Sequence, residues 1–74
     1  MFGEKLKEIL IEKELTQKAA AEKLGVSQKA ISKWINKQAE PTESNIRNTA
    51  KIFDVSADFL LGLEDEYGIK IKYK

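Results

Sequence analysis

Seventy-four residues carrying a formal net charge of +1 allow one small domain with a thin margin of stability, and helices around a shared interior are its economical solution. Leu, Ile, Ala, Lys and Glu dominate while Pro and Gly are scarce, which reads as all-α. With no cysteine and no histidine, a disulfide framework, a thiolate or imidazole metal site and the usual general base are excluded. The composition therefore argues against an enzyme or a bound cofactor and fits a reducing, cytoplasmic setting.

In chain order, the opening "MFGEKLKEIL" carries acids and lacks the apolar region of a signal peptide, and no apolar run approaches the length of a membrane span. Leu6, Ile9, Leu10 and Lys13 follow helical spacing, so residues 3–13 are predicted as a first amphipathic helix, closed by Leu15. Thr16 is a natural N-cap for a second helix through Leu24, in which the short side chains of Ala19, Ala20 and Ala21 permit close approach of another helix. Gly25 supplies the left-handed conformation that ends a helix, Val26 plugs the turn and Ser27 caps the helix that follows. So short a break between two capped helices makes them cross steeply, as in a helix-turn-helix. Beyond the polar loop "NKQAE" and Pro41, Thr42 caps a fourth helix carrying Ile46, Ala50 and Phe53, and Ser56 caps a short fifth ending at Gly62.

The third helix, residues 28–36, sorts its side chains into two unlike faces. At 100° per residue, Ala30, Ile31, Trp34 and Ile35 fall on one side and Gln28, Lys29, Ser32, Lys33 and Asn36 on the other. The first side belongs to the core. The second contains no acid, and its residues suit hydrogen bonding to base edges and neutralisation of phosphates in a major groove that an α-helix fits. Ser27 and Gln17 stand at helix N-termini, where free N–H groups and the dipole favour a phosphate oxygen. Each feature alone is ordinary, since caps and surface lysines occur in any helical protein; their coincidence within one short stretch is the signal.

Charge is segregated in the same sense. Residues 16–38 hold Lys18, Lys23, Lys29, Lys33 and Lys37 against Glu22 alone, whereas residues 56–68 hold Asp58, Glu64, Asp65 and Glu66 with no base. In the terminal "EDEYGIKIKYK", Ile69, Ile71 and Tyr73 alternate with Lys70, Lys72 and Lys74, a period of two that suits a strand. A strand beside a helical domain needs a partner, and the same tail of a second subunit is the economical one, with Phe59, Leu63 and Tyr67 adding apolar area to that seam. The alternative is that a short lysine-rich terminus is frayed. The chain thus divides into a domain over 1–66 and a tail over 67–74.

"LTQKAAAEKLGVSQKAISKWIN", followed by "EPTESNIRNTAKIFDVSADFLLG", resembles the phage repressor and Cro-type helix-turn-helix family, also termed lambda repressor-like or XRE, and the likeness covers residues 5–62. The resemblance implies a five-helix domain that binds double-stranded DNA as a homodimer on a partly palindromic operator and regulates transcription, most simply as a repressor, in a bacterium or its phage. It also implies roles by position: Gln17 and Ser27 at phosphates, and Gln28, Lys29, Ser32 and Lys33 at base edges or backbone, with Thr16, Lys18, Asn36 and Lys37 around them. This sequence departs from the family in three places. Leu10 and Ile35 stand where relatives carry an ion-paired Arg and Glu, Ala20 stands where Leu is common, and Lys37 replaces a frequent Gly, so that Asn36 or Lys37 must take a left-handed turn. A protein-interaction module, antitoxin-like or an adaptor using the acidic region around Glu64, Asp65 and Glu66, is the alternative. An acid-free face from Gln28 to Lys37 favours DNA. No small-molecule ligand is evident.

Overall fold

The computed structural model describes residues 2–63, which form five helices: α1 (Phe2–Glu12), α2 (Gln17–Leu24), α3 (Gln28–Ile35), α4 (Glu43–Phe53) and α5 (Ala57–Leu60). Among the described residues the fold is all-α, and the strand expected over the tail lies outside them. Four helices begin the same way. The side-chain oxygens of Thr16, Ser27, Thr42 and Ser56 accept from the amides of Ala19, Ala30, Asn45 and Phe59 at 2.9–3.2 Å. Each cap thereby occupies one of the amide donors that a helix leaves orphaned in its first turn.

The helix ends correct the sequence reading by a residue or two. α1 stops at Glu12 because Glu14 turns left-handed at φ 54°, while Lys13 remains bonded to the Ile9 carbonyl at 2.9 Å and the Leu15 amide returns to Leu10 at 2.8 Å. α3 ends at Ile35 with Asn36 as its C-cap, and Lys37 takes the left-handed turn at φ 60°. α5 is a single turn and stops short of Gly62. Gly25 ends α2 at φ 69°, a conformation that costs a residue with a Cβ.

α1 packs on α3 and α5, α2 on α3 and α4, and α4 on α5. The core is formed by Phe2, Leu6, Ile9 and Leu10 of α1, Ala20, Ala21 and Leu24 of α2, Ile31 and Trp34 of α3, Phe53 of α4 and Leu60 of α5. Leu10 is buried and Ile35 packs against the same cluster, so both apolar side chains are spent on the core. Ala20 is fully enclosed despite its size. The Trp34 ring meets Phe2 edge to face, with centroids 5.6 Å apart. At that same junction Gly3 lies directly against the backbone of Trp34 and Ile35, where a Cβ has no room. Among the described residues one polar side chain is buried, Thr49, and its hydroxyl donates to the Asn45 carbonyl at 2.7 Å within α4. Asn48, one position earlier, reaches across to α2 and donates to the Leu24 carbonyl at 3.0 Å.

Candidate nucleic-acid interface

The Gly25-Val26-Ser27 turn fixes where α3 begins and how it crosses α2. Val26 is half-buried against the core, and its amide bonds back to the Ala21 carbonyl at 3.1 Å, so the turn is held from both sides. α3 then buries Ile31 and Trp34, and this choice of inner face commits Gln28, Lys29, Lys33 and Asn36 to solvent. Ser32 is half-buried, and its hydroxyl accepts from the Asn36 side-chain amide at 3.3 Å. Those two residues therefore brace one another on the polar face.

At the two N-termini, Thr16, Lys18 and Ser27 are exposed and Gln17 is half-buried. The Ser27 cap engages the amide of Ala30 and the Thr16 cap that of Ala19. The amides of the first two residues of each helix precede any carbonyl one turn back and point along the axis, which is the geometry of an anion site. Among the described residues, no carboxylate lies within ion-pair distance of Lys18, Lys23, Lys29 or Lys33.

Lys37 is placed differently. Its ammonium lies 2.6 Å from a carboxylate oxygen of Glu4 on α1, and Lys37 is among the residues lining a cleft of about 280 Å³, with Phe2, Gly3, Trp34 and Pro41. Lys37 holds the Glu4 carboxyl below its ordinary value of 4.5 by hydrogen bonding first and by charge second. Arg47, which sequence reasoning passed over, is likewise paired, with Glu43 at 2.5 Å; their four-residue spacing on one helix was the available signal. Glu4 and Lys37, from opposite ends of the helix-turn-helix half of the chain, offered none.

The residues expected at a dimer seam are only partly in view. Phe59 packs against the core, and Lys5 lies over its ring at 4.9 Å from the centroid, so part of its area is spent within the subunit. Leu63 is half-buried, and its amide donates to the Asp58 carbonyl at 2.7 Å. Tyr67, Ile69, Ile71 and Tyr73 lie outside the described residues.

A helix-turn-helix family model matches residues 6–60. The chain is 41% identical over 64 residues, 86% of its length, to the HTH-type transcriptional activator BcrR of Enterococcus faecalis, of which it covers 31%. Across that and two further curated regulators the chain spans 31 to 66% of the relatives' lengths. The fold is similar to the solution structure of the DNA-binding domain of the P22 c2 repressor, with a TM-score of 0.76, 31% identity and 82% and 80% of the two chains covered. It is also similar to the crystal structure of P22 c2 repressor in complex with a synthetic operator, with a TM-score of 0.75, 30% identity and 81% and 91% covered.

Proposed function

The chain belongs to the helix-turn-helix family of phage-repressor type, and from that premise we propose that it binds double-stranded DNA through α3 and regulates transcription in the cytoplasm. The observation that carries this reading is the acid-free outer face of α3, whose Lys29 and Lys33 have no carboxylate within ion-pair distance among the described residues. An adaptor surface has no reason to exclude acids there; a surface laid against phosphates does. In this reading Thr16, Gln17, Lys18 and Ser27 hold the backbone on either side of the groove, Gln28, Lys29 and Lys33 reach base edges, and the Ser32–Asn36 pair stiffens the reading face.

Two such helices one DNA turn, roughly 34 Å, apart require a dimer on a partly palindromic operator. Phe59, Leu63 and the apolar residues of the tail are the proposed seam. The operator-bound neighbour is named a repressor, and repression by occupancy is the proposed action.

Selection of a preferred site from random duplexes, followed by alanine variants, tests the reading. Gln28→Ala is expected to cost about 1–3 kcal/mol on the selected site and little on random DNA, because a base contact discriminates. Lys33→Ala is expected to weaken both and to flatten the salt dependence. Equal losses for Gln28→Ala on the two DNAs remove its base-reading role, and binding without salt dependence returns the chain to the interaction-module class.

A further inference from the structure

Lys29, Lys33 and Lys37 follow one another at four-residue spacing along and just beyond the recognition helix, yet among the described residues only the last is paired with a carboxylate. Its partner is set there by the backbone. The absence of a side chain at Gly3 lets the start of α1 touch the end of α3, and the left-handed turn at Lys37 carries its side chain back over α1 to Glu4.

We propose that Glu4 is an internal competitor for the DNA phosphate within reach of Lys37, and that it thereby limits the sequence-independent affinity of the recognition surface. This rests on the DNA-binding reading above. The pair is poorly suited to a purely structural role, because both side chains are more than half exposed, at 64% and 54%, and exposed ion pairs contribute little to stability. The same exposure leaves the ammonium open to exchange one oxyanion for another, a carboxylate for a phosphate, at small cost. Near neutrality Glu4 is fully ionised and competes at full strength. The benefit to a regulator is discrimination, since phosphate contacts raise affinity for every site alike whereas base contacts do not.

The test measures binding of the full chain to a random-sequence duplex between about 50 and 200 mM salt. The variants are E4Q, K37A, the double variant E4Q/K37A, E8Q and K33A, with Trp34 fluorescence confirming that each is folded. Releasing one lysine to one phosphate steepens the slope of log K against log salt by about 0.9 per subunit; taking the gain to vanish at 1 M, affinity at 0.1 M rises about eightfold per subunit. E4Q is expected to show that gain and E4Q/K37A to lose it. K37A alone, which leaves the Glu4 carboxylate unpaired, is expected to show no gain. E8Q makes the same charge change on the same helix at a carboxylate 3.6 Å from Lys5, and is expected to show no gain. An unchanged E4Q, a gain that survives K37A, or an equal gain in E8Q overturns the proposal while K33A still reports DNA binding. A wild-type chain with no salt-dependent binding overturns the DNA reading itself, and this inference with it.

Discussion

Gly3→Ala is the substitution on which helix propensity and packing give opposite signs. Ala is favoured over Gly in a helix by up to about 1 kcal/mol, so propensity alone expects a more stable protein. The structure expects the reverse. A Cβ built on Gly3 overlaps the Trp34 carbonyl oxygen and stands 2.9 Å from the carbonyl carbon and 3.1 Å from Ile35 Cα. These are backbone atoms that no rotamer change can move aside. With carbon–carbon contacts preferring about 3.5–4.0 Å, α1 and α3 must separate by on the order of 1 Å, which also loosens the Phe2–Trp34 contact. Overpacking of this kind costs about 1–3 kcal/mol, and the propensity gain near a helix start recovers only part of it. The net expectation is a loss of roughly 1–2 kcal/mol, a fall in Tm of about 4–16 °C for a domain of this size. Urea titration followed by fluorescence reads it directly, because Trp34 is the one tryptophan in the chain and sits at the perturbed junction. A Gly3→Ala protein as stable as wild type, or more so, refutes the close approach of the two helices and the geometry that brings Glu4 to Lys37.

Gly25→Ala makes the complementary case: nothing lies within 4 Å of its Cβ, so the loss, about 1–2 kcal/mol by thermal melting, comes from the left-handed backbone alone. Glu14→Gly relieves the same kind of strain at φ 54°, and after the entropy Gly adds to the unfolded chain it is expected to raise Tm by roughly 4–8 °C. The Glu4–Lys37 pair gives a pH signature. Because the folded carboxyl titrates below its ordinary 4.5, the stabilisation is complete above that value and is lost as pH falls through the folded one. The difference in urea midpoint between wild type and E4Q is therefore expected to be constant from neutrality down to about pH 5 and to vanish in stronger acid.

What the sequence disclosed and what it withheld divide along range. All four Ser and Thr caps were legible because each bonds an amide three residues ahead, a relation the chain carries locally. The inner face of α3 was legible for the same reason, since periodicity decides it. Ile35, grouped with that face, proved half-buried at its edge. Glu14 and Asp54 turn left-handed with no glycine to announce it, so α1 was read one residue too far. The Glu4–Lys37 pair, the Gly3 contact and the Asn48–Leu24 bond join residues more than twenty positions apart, and no spacing rule relates them until the helices are docked.

The bond from Asn48 to the Leu24 carbonyl bears on portability. That carbonyl belongs to the last turn of α2, where helices leave acceptors unfilled, and the donor that fills it comes from outside the two-helix motif. The angle at which α3 is presented is thus set partly by α4, which grips the end of α2 immediately before the turn. Residues 16–36 grafted onto another scaffold would take the outward side chains of α3 with them and leave behind the clamp that orients them. On the proposed DNA reading, exchanging only the outward residues of α3 on the intact five-helix frame is expected to transfer a specificity that moving the motif alone does not.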